Sequence, residues 1–133
     1  MKFSRPQADT HVPSGGDLTS ALAATTHLGI GAHADDLEIM AFPGICACRG
    51  QKNFQFSGVV ATDGAGSPSK VSGQELMQTR MEEQRQAAVL GGYAAVIQLA
   101  YPSSEVRAAG RKALTADLLQ IFQAAQQIGR AHV

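Results

Sequence analysis

His33, Asp35 and Asp36 stand within four residues of one another, and Glu38 follows two positions later. Neutral imidazole and carboxylate are ligand types that suit Zn²⁺ and related divalent metals. A further carboxylate beside a metal ligand can serve as a general base toward water. The run therefore offers ligands and a base together. The plainer reading is an Asp-rich turn that caps a helix, which accounts for one carboxylate but not both. His27 is not part of this constellation. It lies six residues before His33 on what reads as a single strand, about 20 Å away at about 3.3 Å per residue.

The elements that would position these groups follow from pattern. The apolar run Leu28-Gly29-Ile30-Gly31-Ala32 makes residues 27–32 a strand and puts His33 at its carboxyl end. Open α/β sheets place their sites at that edge. Pro43 suits the first position of a helix and Gly50 its exit, which leaves residues 35–42 as a turn. Residues 54–62 read as a second strand ending at Asp63, followed by a Gly-, Ser- and Pro-rich loop over 63–71. Ser72-Gly73-Gln74-Glu75 is a capping box, and the helix it opens should end at Gly91-Gly92. Residues 94–99 read as a third strand. Residues 104–126 read as mostly helix, with Leu114, Leu118, Ile121 and Phe122 as its apolar stripe. Strand-helix alternation of this kind implies an α/β fold: a Rossmann-like, doubly wound parallel sheet in three α/β/α layers. Residues 1–26 read as an N-terminal extension, loop up to Gly16 and then a short helical stretch, beside a domain over 27–127.

Composition narrows the class. A chain of 133 residues suggests one domain, and 44% apolar residues are ordinary for a globular protein. With 11 basic and 11 acidic residues, there is no cationic surplus to attract nucleic acid or an anionic membrane. No apolar run approaches the roughly 18 residues of a membrane span. Nor does a secretory signal precede the domain. Cys46 and Cys48 lie two apart on a predicted helix, where side chains point to different faces. They read as reduced thiols, and the whole fits the cytoplasm.

Two further stretches complete a pattern. Val59-Val60-Ala61-Thr62-Asp63-Gly64-Ala65-Gly66 closes the second strand. Arg80-Met81-Glu82-Glu83 leads to Ala87-Ala88 and Leu90-Gly91 on the next helix. Together with His33-Ala34-Asp35-Asp36, these resemble the LmbE-like/PIG-L family of zinc-dependent N-deacetylases, over roughly residues 26–126. The family commonly has Pro at the position of Ala34, and often a Gly pair at Pro43-Gly44. Neither difference removes a chemical group.

The resemblance implies that His33 and Asp36 bind Zn²⁺ and that Asp35 is the general base. It implies hydrolysis of an acetamide on an N-acetylated amino sugar or related small molecule. Glu38 matches an acidic position of the motif and would orient a ligand or a backbone group; a solvated surface Glu is the competing reading. Asp63 would line the site or stabilise an Asp-Gly turn. Arg80 would contact substrate or organise a loop, or else make a surface ion pair with Glu83, three residues on. That helix face also carries Leu76, Ala87 and Leu90, expected to point to the core. Family members continue past this chain with another strand and a His that supplies the third zinc ligand. Residues 128–133 read as a non-native tail, and the chain as an N-terminal fragment that is inactive by itself. The alternative is a non-catalytic α/β module holding a divalent metal such as Mg²⁺ through the Asp pair. A nucleotide-binding role hinted at by Gly29 and Gly31 ranks low, since no G-x-G-x-x-G opens a helix.

Overall fold

The computed structural model describes residues 1–65, 72–108 and 111–126. The proposed tail over 128–133 and most of the loop over 63–71 lie outside these residues. The elements run β1 (Asp9–His11), α1 (Leu18–Ala23), β2 (His27–Gly31), α2 (Asp36–Met40), α3 (Phe42–Cys48), β3 (Phe56–Thr62), α4 (Gly73–Gly91), β4 (Ala95–Tyr101), α5 (Ser103–Arg107) and α6 (Lys112–Ala124). They build one sheet of order β1-β4-β3-β2. As expected, β2, β3 and β4 are parallel. β1 adds an antiparallel strand on β4, Asp9 opposite Gln98.

That fourth strand corrects the reading of the extension as loop up to Gly16. Three residues are too few for alternation to show. What fixes them is distant: the Arg85 guanidinium on α4 grips both carboxylate oxygens of Asp9, one contact being 2.8 Å from Nε. Such bidentate pairs are among the stronger polar contacts.

Every residue of β3 and β4 is buried, as central parallel strands require when both faces are covered. Alternation then divides the core. Val59, Ala61, Ile97, Leu99 and Tyr101 pack with Leu22 of α1 and Leu114 and Ile121 of α6. Phe56, Val60 and Val96 pack on the other face with Leu37, Ile45, Cys48, Ala88 and Tyr93. Helices thus cover both faces of the sheet.

Ser72 caps α4 by accepting from the Glu75 N–H, and Gly92 closes it in the left-handed conformation at φ 68°. The helix expected over 104–126 is two: Ala108 is extended after α5, and α6 starts only at Lys112. Of the expected stripe, Phe122 is exposed, and buried Asp117 occupies a core-facing position instead. It accepts from the Tyr101 hydroxyl at 2.6 Å and from the Ser4 N–H at 3.0 Å, which ties the N-terminus to α6.

Candidate functional site

The strand ends carry the site. The Thr62 N–H donates to the Ala32 carbonyl and the Asp63 N–H to that of Tyr101, so the chain after β2 and after β3 emerges at the same carboxyl edge. His33 follows directly on the first and Asp63 on the second.

The segment expected as a turn over 35–42 instead winds into α2. Leu37 is the reason. It is buried, and its methyl groups sit over Gly29 and Gly58, which face each other across the β2–β3 ladder. A Cβ on Gly58 would lie 2.5 Å from Leu37 Cδ1, and one on Gly29 3.2 Å from Cδ2. The two glycines open a slot, and Leu37 docks the helix close to the sheet. Gly31 has a related task, since a Cβ there would lie 2.8 Å from that of Asp36.

Asp35 immediately precedes α2 as its N-cap residue, and its φ of 69° is left-handed. Asp is among the residues that tolerate this region. The reversal brings Asp36 back beneath His33: its Oδ2 accepts the His33 N–H at 2.8 Å and lies 3.6 Å from the imidazole Nδ1. Imidazole and carboxylate therefore converge on the solvent side. Asp35 makes no side-chain capping bond to the helix it precedes. The three residues differ in situation: one carboxylate is engaged by backbone, and the other does not cap.

Glu38 points inward. Its Oε1 accepts from Gln84 Nε2 at 2.7 Å and from the Tyr93 hydroxyl at 2.8 Å, and its Oε2 is buried without a partner among the described residues. Burial, and then the Glu38 carboxylate, push the Tyr93 phenol well above its ordinary pKa. Asp63 stabilises its own turn, with Oδ1 accepting the Ala65 N–H at 2.9 Å. Arg80 packs against that turn: a Cβ on Gly64 would come within 2.8 Å of Arg80 Cδ, and Arg80 Nε is buried without a partner among the described residues. Arg80 and Glu83 form no ion pair. Leu90, expected in the core, is 74% exposed, because α4 turns Gln84 and Ala88 to the sheet.

His33 and Asp36 are thus brought together, with Asp35 between them in sequence and Asp63 on the same edge. No group of three metal-ligating side chains occurs among the described residues. Two donors on one open face fit part of a metal's shell and leave a third protein ligand to be supplied. Sequence reasoning missed Gln84 and Tyr93, whose contacts with α2 span 46 and 55 residues. The capping box and the Gly91-Gly92 stop define the helix of Gln84, but nothing local marks its buried face, and Tyr93 lies in the connection just beyond that stop.

An acidic-histidine turn thus stands at the carboxyl edge of an α/β sheet whose strands β2, β3 and β4 are parallel. Residues 28–128 match the family described as PIG-L, GlcNAc-PI de-N-acetylase, and the chain belongs to that family. It is also similar to a solved N,N'-diacetylchitobiose deacetylase from Pyrococcus horikoshii complexed with its inhibitor MPG. Identity is 26% and the TM-score 0.64, over 83% of this chain and 41% of that one. The chain thus spans about two fifths of the length of that structure. No curated protein matches it. No helix among the described residues is long and apolar enough to cross a membrane.

Proposed function

We propose that the chain carries the metal-binding and general-base segment of a zinc-dependent N-deacetylase acting on an N-acetylated amino sugar or a related small molecule. One observation carries this reading: His33 and Asp36 converge beside Asp35 at the carboxyl edge of a parallel sheet, in a chain of the PIG-L family. The chitobiose deacetylase likeness supports an acetamide on an amino sugar as the substrate class.

His33 and Asp36 would hold the metal, together with a ligand from outside the described residues. A bound divalent metal supplies Lewis-acid polarisation of the acetamide carbonyl and acidifies water. Asp35 takes the proton from the attacking water. Its carboxylate suits that task because it is exposed and does not cap α2. Asp36, bonded to the His33 N–H, is the better ligand. Glu38 is held inside, and we assign it to orienting the turn. Asp63 and Arg80 would shape the neighbouring wall.

The experiment pairs metal binding with turnover. Zinc titration by calorimetry should give binding that His33→Ala and Asp36→Asn each abolish or weaken strongly, while Asp35→Asn keeps it. Acetate release from an N-acetylated amino sugar, assayed with the complete catalytic apparatus, should fall by about 10²- to 10⁴-fold in Asp35→Asn, the usual contribution of a general base. Asn also tolerates the left-handed backbone at this position. Zinc binding untouched by both ligand substitutions would refute the assignment. The second reading, a module that binds a divalent metal without catalysis, draws on the adjacent Asp35 and Asp36 carboxylates of the same turn. Octahedral, oxygen-dominated coordination would favour it over the tetrahedral N/O site of the deacetylase.

A further inference from the structure

We infer that Gln84 is a positioning residue for the site turn: held by Glu38 and Tyr93, it fixes the backbone of Asp35 and so sets the directions of His33 and Asp36. This rests on the deacetylase reading of those three residues.

Gln84 is only 3% exposed, in the middle of α4 and on the face that meets the sheet. A buried amide is costly unless its hydrogen bonds are made. Gln84 makes one on each side. Its Nε2 donates to Glu38 Oε1 at 2.7 Å, and its Oε1 accepts the Asp35 N–H at 3.3 Å. The orientation is forced. The backbone N–H of Asp35 can only donate, so it takes the carbonyl end of the amide, and the NH₂ end then faces Glu38 Oε1. The Tyr93 hydroxyl donates to the same Glu38 oxygen at 2.8 Å, which holds Glu38 in place. The raised pKa of Tyr93 keeps this donor protonated over the working range.

What the amide holds is the least comfortable residue of the turn. Asp35 sits at φ 69°, and non-glycine residues persist there only when their surroundings over-determine them. Such strain gathers at functional sites, and here a polar chain from Tyr93 beyond α4, through Glu38 and Gln84, ends on that one N–H. Turning the 34–35 peptide would rotate Asp36 away from the His33 N–H and part the imidazole from the carboxylate. Outer partners of this kind are worth about 10- to 100-fold in metal affinity where they orient ligands.

The test reads the turn and the metal separately. Amide hydrogen exchange by NMR should find the Asp35 N–H protected in the wild type, although the residue is exposed. Gln84→Leu should release that protection and weaken binding of zinc alone by about 10- to 100-fold. The double exchange Glu38→Gln with Gln84→Glu keeps the charge and reverses donor and acceptor between α2 and α4, while leaving an acceptor for Asp35. It should recover most of both. Tyr101→Phe, which removes a buried hydrogen bond on the far face of the sheet, controls for lost stability and should move neither readout. An unprotected Asp35 amide in the folded wild type would overturn the inference. So would a zinc affinity in Gln84→Leu no lower than in Tyr101→Phe, or a double exchange that restores neither property. If Gln84→Leu does not fold, the wild-type amide and the double exchange decide. A wild type that takes no zinc even with the complete catalytic apparatus refutes the reading of the site, and the amide measurements then decide the Asp35 contact by themselves.

Discussion

Leu37 and Gly58 should be energetically coupled, and the size of the coupling can be worked out. Leu37→Ala removes three buried carbons at about 0.8 kcal/mol each. A cavity term follows because the slot walls are strand backbone at Gly29 and Gly58, which collapses poorly. The expected loss is about 3 kcal/mol or somewhat more, within the usual range for such truncations. Gly58→Ala acts in the opposite sense. Its methyl would lie 2.5 Å from Leu37 Cδ1 and 3.4 Å from Tyr93 Cε2, an overpacking that costs roughly 1–3 kcal/mol. In the double variant the new methyl occupies space that Leu37 has vacated, so the clash disappears and part of the cavity is filled. The double variant should therefore be more stable than the sum of the singles by about 1–2 kcal/mol, within the range for contacting residues. Urea denaturation of the four proteins measures this directly. Additivity to within about 0.5 kcal/mol, the behaviour of distant sites, would refute the slot as the reason α2 lies where it does.

Alkaline pH should expose the two buried tyrosines. Burial first, and then the Asp117 carboxylate, raise Tyr101 to about 12, while Tyr93 is raised by burial and Glu38. A phenol whose folded pKa is raised contributes stability that is whole below its unfolded value near 10 and is lost as pH rises through the folded value. The phenolic part of a stability–pH profile should therefore fall between about pH 10 and pH 12, and Tyr101→Phe should roughly halve its slope; an unchanged slope would contradict the assignment. Asp117→Ala should strand the Tyr101 hydroxyl and free the N-terminus, costing about 1–3 kcal/mol for the buried group left unpaired. Limited trypsinolysis after Lys2 should accelerate, and an equal cleavage rate would count against Asp117 as the anchor. Ser72→Ala removes the acceptor for the Glu75 N–H and should lower stability by about 1 kcal/mol, read as a shift in the urea midpoint without a change in slope.

Sequence showed best what is local and periodic. The three parallel strands, the helix cap at Ser72 and the stop at Gly91-Gly92 all carry signals within a few residues, and the structure has them in place. The His33-Ala34-Asp35-Asp36 turn was legible because its residue types are chemically unusual together and follow an apolar run. Other features depend on distance. Gly29 hinted at a phosphate loop, and only the tertiary partner reveals that it admits Leu37. Asp117 interrupts the apolar stripe of α6 because its partners, Ser4 and Tyr101, come from elsewhere. Glu38 had two readings open. Tyr93, 55 residues away, holds it inward. Neither propensity nor periodicity contains such information.

The antiparallel strand at the N-terminus also orders events in time. β2 and β3 meet after closing a loop of about the 29 residues that separate Thr26 from Gln55. β1 must wait for β4, roughly 90 residues later, and that longer closure costs about 1 kcal/mol more in chain entropy. Long-range pairing of this kind slows folding. On the ribosome, residues 9–11 emerge well before β4 and can pair only once that strand is made. During that interval the edge of β4 stays open, and the Asp9 carboxylate and the Arg85 guanidinium remain in water until the final strand closes over them.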